Sequence, residues 1–150
     1  MRLRASLFTV IVLIAAGNAK AMCFKEAGER YGINPYLLKA IAYTESSLRP
    51  NIESPTKDIG LMGINRSWLP IFSRKFGITE SDVWNPCMNV NLGAWVLASN
   101  MRVYGNTWTA VGAYSAACSR LKGDKCDQAR LTYANKVYKN WLWLQNNSAL

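Results

Sequence analysis

The chain has 150 residues, and its 18 lysines and arginines outnumber its nine aspartates and glutamates. This length predicts one domain with a sizeable core and is too short for two. The absence of histidine excludes Ser-His-Asp and Cys-His catalysis, which leaves acid/base chemistry to carboxylates, tyrosines or lysines. The positive charge favours either a polyanionic partner, such as a cell wall or an anionic membrane surface, or simple solubility. The basic residues are scattered and form no nucleic-acid-binding motif.

The first 21 residues have the pattern of a signal peptide. Arg2 and Arg4 give a positively charged start, residues 7–16 are apolar, and residues 19–21 read Ala-Lys-Ala, a small-residue cleavage site. The apolar stretch is too short to span a membrane, and no comparable stretch follows it. We therefore expect an exported protein with no transmembrane segment after cleavage, whose mature domain comprises residues 22–150 and carries a net charge of +6.

The four cysteines predict two disulfides in an oxidising compartment. Three pairings are open, and we favour Cys23 with Cys87, which ties the N-terminus to the middle of the domain, and Cys118 with Cys126, which closes a short loop. A zinc site is the competing interpretation, but the chain has no C-x-x-C pair and no histidine. We therefore expect no bound metal.

The mature chain begins with two predicted helices. Residues 23–31 favour a short helix that ends at Gly32, a residue type common just beyond a helix C-terminus. Asn34 and Pro35 are typical of the N-cap and first position of a second helix, which stops before Pro50.

The next segment is irregular and then helical. Residues 49–60 are rich in turn-forming types and predict a surface loop, and residues 61–65 fit either a brief strand or a buried turn. Residues 67–76 favour a helix with Pro70 in its first turn.

A long helix is the clearest prediction. Asn85 caps a helix over residues 86–104, which Gly105 ends. One face of this helix is apolar and predicts a central position in the core: Val90, Ala94, Leu97, Met101 and Tyr104.

Two more helices complete the prediction. One is capped by Asn106 or Thr107 and runs through Ala117, and the last covers residues 127–143. A small β element fits only at residues 56–66, so the predicted fold class is α+β and mostly α-helical.

Glu45 is the first candidate for chemistry. At about 100° per residue it falls within roughly 40° of Leu38 and Ile41 on the core-facing side of its helix, near the C-terminus. Burial and the helix dipole both raise the pKa of a carboxyl group there, as a general acid requires. Most glutamates placed in this way are nevertheless solvated helix ends or make a structural hydrogen bond.

Four ordered blocks place Glu45 in a larger pattern. They are Glu-Ser-Ser at 45–47, Asp-Ile-Gly-Leu-Met-Gly-Ile-Asn at 58–65, Gly-Ala-Tyr-Ser-Ala-Ala at 112–117 and Tyr-Ala-Asn-Lys-Val-Tyr at 133–138. Together they resemble the goose-type-lysozyme-like lytic transglycosylases over residues 23–138. The likeness is greatest to the small exported members that accompany type III secretion, type IV pilus and conjugation machines.

The resemblance implies a lysozyme-like fold and a bacterial periplasmic enzyme that acts as a monomer on peptidoglycan without a cofactor. The implied reaction cleaves the β-1,4 bond between N-acetylmuramic acid and N-acetylglucosamine. Glu45 protonates the glycosidic oxygen and then takes the proton from the muramic C6 hydroxyl as that oxygen attacks C1. The product carries a 1,6-anhydro ring, and no water is consumed, so one carboxyl group suffices.

The resemblance also implies the cleft residues. Tyr133, Tyr114 and Met62 match cleft-lining positions, and Asn65 matches a polar residue behind the strand, although each also fits a structural role. Asp58 is either a turn aspartate or a second carboxylate of the kind that hydrolysing muramidases use.

Three residues depart from the family pattern. Gly63 stands where the family has glutamine, and Ser115 and Ala117 stand where it has asparagine and glycine. A lost polar contact of this kind costs about 1–3 kcal/mol when its partner stays buried. The departures predict weaker substrate binding at positions 63 and 115 and leave open a wall-binding or assembly factor with little catalysis. The apolar segment 141–144 either packs on the domain or docks a partner.

Overall fold

The computed structural model describes residues 23–115, 118 and 121–147. The predicted signal peptide and Ala117 lie outside these residues. Within them the chain is mostly helical with one two-stranded sheet, as the sequence predicts. No helix in this part of the chain is long and apolar enough to cross a membrane.

The first two helices follow their local signals. Helix α1 covers Phe24–Tyr31 and ends at Gly32, whose φ of 66° is the left-handed conformation that glycine favours. Helix α2 covers Pro35–Ser46, and the Asn34 side chain accepts a hydrogen bond from the Tyr36 amide at 2.8 Å. These caps confirm both predictions and place Glu45 in the last turn of α2.

A minimal hairpin follows, and both interpretations of residues 61–65 hold in part. Strand β1 covers Asp58–Ile59, strand β2 covers Ile64–Asn65, and they pair antiparallel with Asp58 opposite Asn65. The intervening residues form a turn that is buried at Leu61 and Met62.

The buried side chain of Asn89 anchors this hairpin to the core. Its amide donates to the carbonyls of Ile59 and Val83, both at 2.9 Å, and its oxygen accepts from the Met62 amide at 2.7 Å. A buried amide with all these partners satisfied fixes the turn relative to its own helix.

The middle of the chain holds three helices. A short 3₁₀ turn at Arg66–Trp68 leads into helix α3, Leu69–Phe76, with Pro70 in its first turn as predicted. Helix α4, Glu80–Val83, is absent from the prediction; its capping box joins Thr79 and Asp82. Helix α5 covers Pro86–Tyr104, as predicted. Of its predicted apolar face, Val90, Ala94 and Leu97 lie in the core and Met101 packs against it, whereas Tyr104 is outside the core cluster.

The last two helices differ from their predicted bounds. Helix α6 covers Trp108–Gly112, capped by Thr107, and ends well before Ala117. At Gly112 the chain lies so close to Arg130 that an added Cβ would be 2.6 Å from its carbonyl oxygen, and residues 113–115 then turn away. Helix α7, Asp124–Asn147, is longer than predicted at both ends.

Two covalent links and the end of α7 complete the domain. The disulfides join Cys23 to Cys87 and Cys118 to Cys126, the pairing that the sequence favours. The segment 141–144 packs in part: Leu144 is fully buried, whereas Leu142 and Trp143 are exposed.

Candidate active site

Glu45 lies at the meeting point of α2, the hairpin and α7. The Tyr133 hydroxyl, from α7, donates a hydrogen bond to its Oε1. Burial raises the pKa of the Glu45 carboxyl above its ordinary value. The hydrogen bond from Tyr133 opposes this rise, and the negative charge of Asp58 adds to it. This is the direction that a general acid near neutral pH needs.

A cavity of about 230 Å³ opens beside this carboxyl group. It brings together most of the site residues that the sequence predicts, together with residues of the hairpin and α5. Its lining is Glu45, Asp58, Gly63, Ile64, Asn65, Trp68, Val96, Tyr114, Ser115 and Tyr133. The first and last of the four sequence blocks, 88 residues apart, therefore meet through the bond between Tyr133 and Glu45.

Two tyrosines form one wall of the cavity. The rings of Tyr114 and Tyr133 stack with centroids 6.4 Å apart, and the Tyr114 hydroxyl donates to the Met62 carbonyl at 2.8 Å. Burial, with the nearby negative charge of Glu45, raises the pKa of both phenols well above the ordinary value. Both hydroxyls therefore stay protonated at neutral pH and act as donors.

Asp58, on the hairpin, lines the same cavity in a polar setting. Its carboxylate accepts hydrogen bonds from the Ser54 hydroxyl at 2.7 Å, from the Thr56 hydroxyl, and from the Asn65 amide at 2.7 Å. Burial alone would raise the pKa of Asp58, but the three hydrogen bonds together lower it below its ordinary value. Asp58 is therefore an anion in the same cavity as Glu45.

Met62 is the predicted cleft residue that the structure places elsewhere. Its side chain is fully buried, and its atoms lie next to Gly93, where an added Cβ would be 2.7 Å from them. Its contact with the cavity-lining residues is through its backbone carbonyl, which accepts a hydrogen bond from Tyr114. Of the two interpretations that the sequence leaves open for Met62, the core position therefore fits the structure, because the turn directs this side chain into the core.

Gly63, Asn65 and Ser115 all line the cavity, in different ways. Gly63 brings backbone rather than a side chain next to Glu45. Asn65 is largely structural, since its amide binds Asp58 and its oxygen accepts from the Ser67 amide at 3.0 Å. Ser115 also borders a wider groove of about 640 Å³ that runs along α7 and includes Lys125 and Lys136.

The sequence analysis missed two buried polar residues that hold the hairpin turn next to the site. Asn89 is a buried amide on the apolar face of α5, and a polar residue within such a face is a signal that could have found it. Ser46 is also buried, with its hydroxyl 2.8 Å from the Ala42 carbonyl and 2.9 Å from that of Leu61. Among the residues that the structure describes, no cluster of acidic or sulfur side chains could hold a metal ion.

Comparison with known proteins gives several matches over most of the chain. Residues 22–136 match the family described as "Transglycosylase SLT domain". "Invasion protein IagB" of Salmonella typhimurium is 36% identical over 145 residues, which cover 93% of this chain and 88% of that protein. "Protein IpgF" of Shigella flexneri is 38% identical over 128 residues, covering 82% of this chain and 81% of that protein.

One further sequence relative and one solved structure also match most of this chain. A "Peptidoglycan-binding-like protein" of Escherichia coli O157:H7 is 33% identical over 146 residues, covering 89% of this chain and 84% of that protein. Among solved structures, an inactive mutant of the lytic transglycosylase Slt from Pseudomonas aeruginosa has a TM-score of 0.67 at 22% identity. That match covers 85% of this chain and 24% of the Slt chain, and it supports the fold. The family match over residues 22–136, together with the relatives of 36–38% identity, shows that the chain belongs to the transglycosylase SLT-domain family and is a peptidoglycan lytic transglycosylase.

Proposed function

We propose that this enzyme cleaves the β-1,4 bond between N-acetylmuramic acid and N-acetylglucosamine, with Glu45 as its only acid/base. The observation that carries the proposal is the opposite setting of the two carboxyl groups in one cavity. Glu45 has a raised pKa and can hold a proton, whereas Asp58 has a lowered pKa and three hydrogen-bond donors. Only one of the two is therefore suited to give a proton and take one back.

The proposed reaction has two proton transfers at one group. Glu45 donates its proton to the glycosidic oxygen as the bond from that oxygen to C1 breaks. The C6 hydroxyl of the muramic residue then attacks C1, and the Glu45 carboxylate takes the hydroxyl proton. The product carries a 1,6-anhydro ring, no water enters the balance, and Glu45 returns to its starting state. Tyr133 keeps its carboxyl group oriented throughout.

Hydrolysis is the second candidate, because one observation favours it. Asp58 lines the same cavity as Glu45 and is ionised, so it could stabilise positive charge that develops on the sugar ring. In that reaction water, rather than the C6 hydroxyl, attacks C1. A weakly catalytic wall-binding factor is the third candidate, and Gly63 and Ser115 in place of the family's amides favour it.

We further propose that the protein is exported and opens the cell wall locally for a secretion, pilus or conjugation apparatus. The likeness to the Salmonella protein named as an invasion protein supports a role of this kind. The positive charge of the chain suits an anionic wall polymer.

The test that separates an enzyme from a binding factor uses purified peptidoglycan sacculi and the mature protein, residues 22–150. After incubation the sacculi are sedimented, and both protein and soluble muropeptides are quantified. We expect soluble muropeptides to increase with time. Protein that sediments with the sacculi and releases no soluble fragment would contradict the proposal and favour the binding factor.

A further inference from the structure

We infer that Gly63 is a positioning residue for Glu45: because it has no side chain, the hairpin turn can close against the carboxyl group and hold it opposite the Tyr133 hydroxyl. The catalytic meaning of this inference rests on the proposed function of Glu45. The packing itself does not.

The close approach is evident from the space around Gly63. A Cβ added there would lie 2.8 Å from Glu45 Oε2 and 3.2 Å from both its Cδ and its Cβ. Gly63 also has a φ of +58°, which residues with side chains rarely adopt. The Glu45 carboxyl group therefore occupies the space that a side chain at position 63 would need.

Three hydrogen bonds to other parts of the domain hold the turn in place, so it resists moving back to make room. The Met62 amide is bound to Asn89 at 2.7 Å, and the Met62 carbonyl accepts from Tyr114 at 2.8 Å. The Leu61 carbonyl lies 2.9 Å from the Ser46 hydroxyl. With the backbone fixed in this way, the flexible end of Glu45 has to yield to any side chain at position 63.

The Glu45 carboxyl group borders the cavity, so we expect a side chain at position 63 to push it into that open space and to break its bond to Tyr133. The titratable groups that face it are Tyr133 from α7, Tyr114 from the turn after α6, and Asp58 from β1. Burial is the largest cause of its raised pKa, so a move into the open cavity lowers that pKa. Loss of the Tyr133 bond acts in the other direction, so the pKa of Glu45 changes by the difference between the two effects.

This inference changes the meaning of the departure from the family pattern. A glutamine at position 63 would do more than restore a polar contact to substrate, because its Cβ would displace the acid from the position seen here. We therefore expect Gly63→Gln to shift the pKa of Glu45 in the same direction as Gly63→Ala.

Gly77 provides a matched control. It has a φ of +67°, close to that of Gly63, but nothing lies within 4 Å of an added Cβ. Gly77→Ala thus introduces the same kind of backbone strain without touching Glu45. The pKa of the Glu45 carboxyl group is measured by NMR titration, from the chemical shift of its carboxyl carbon, in the mature protein, in Gly63→Ala and in Gly77→Ala. We expect the pKa of Glu45 to differ from the parent value in Gly63→Ala alone, and equal values in all three proteins would overturn the inference.

A stability cycle tests the same contact without titration or activity. Glu45→Ala removes Oε2 and Cδ, so Gly63→Ala should lower the melting temperature less in that background than in the parent. Folding of Gly63→Ala only in the Glu45→Ala background also supports the inference. An equal loss in both backgrounds, or failure to fold in both, overturns it. Neither measurement needs catalysis, so a failure of the proposed function would be seen separately, as absent release from sacculi.

Discussion

The two carboxyl groups in the candidate cavity lie in opposite environments. On the wall formed by α2 and α7, Glu45 is largely enclosed and receives one hydrogen bond, from a tyrosine, so that its pKa is raised. On the hairpin wall, Asp58 accepts bonds from Ser54, Thr56 and Asn65, and its pKa is lowered. Greater burial and fewer donors raise the pKa of Glu45, whereas three donors lower that of Asp58, so the surroundings of each carboxyl group set the direction of its pKa shift.

Replacement of the acid gives the largest expected effect. Glu45→Gln keeps the size of the side chain but cannot give or take a proton, so we expect release of soluble muropeptides from sacculi to fall at least about 100-fold. Glu29→Gln is the control, since Glu29 is exposed on α1. An equal loss of activity in the control, or full activity in Glu45→Gln, would contradict the role of Glu45 as the acid.

Replacement of the anion gives a smaller effect. Asp58→Asn removes the charge and weakens the hairpin bonds, and we expect activity on sacculi to fall about tenfold, which corresponds to about 1.4 kcal/mol. Melting curves of the same variant show how much of the loss comes from unfolding. A loss as large as that of Glu45→Gln, in a protein that is still folded, would break the comparison and favour hydrolysis with two carboxylates.

Removal of the Tyr133 hydroxyl tests how the hydrogen bond from Tyr133 affects Glu45. The bond from Tyr133 lowers the pKa of Glu45, so Tyr133→Phe raises that pKa further. We expect kcat to fall a few-fold, to about a third or less, and the alkaline limb of the pH profile to move to higher pH. Tyr138→Phe on the same helix is the control, because Tyr138 is exposed. An unchanged alkaline limb in Tyr133→Phe would contradict the role of this bond.

The two carboxyl groups should also act on stability with opposite signs. The folded state raises the pKa of Glu45, so stability is lost as pH rises from the unfolded pKa through the folded pKa. For Asp58, whose folded pKa is lowered, stability is present above the unfolded pKa and is lost as pH falls through the folded pKa.

At pH 7 we therefore expect Glu45→Gln to raise the melting temperature and Asp58→Asn to lower it, each by a few degrees at most. The gain in Glu45→Gln should disappear in acid, where the parent carboxyl group is protonated in both states. Melting curves between pH 3 and 7 check both signs, and a Glu45→Gln variant that is less stable than the parent at pH 7 contradicts the burial argument.

Local signals in the sequence predicted the parts of the fold that depend on neighbouring residues. Asn34 with Pro35 and Asn85 with Pro86 mark the starts of α2 and α5, and Gly32 marks the end of α1, because caps act within one turn of the chain. The helical period also predicted the burial of Glu45.

The features that the sequence did not predict depend on distant residues. Gly112, the last residue of α6, packs closely against Arg130 of α7, and the buried turn at Met62 is held by Asn89. The close approach of Gly63 to Glu45 is of the same kind. Local sequence patterns, which involve residues within one segment, carry no information on these contacts between distant segments.

The most direct test of the central claim is the chemical nature of the new chain ends. Soluble fragments released from purified sacculi by the mature protein are separated and their masses determined, with and without prior reduction by borohydride. A single acid/base at Glu45 predicts muramic ends that carry the 1,6-anhydro ring, are one water lighter than hydrolysed ends and resist reduction. Fragments with reducible muramic ends would contradict the account, because they require water and a second group to complete the reaction.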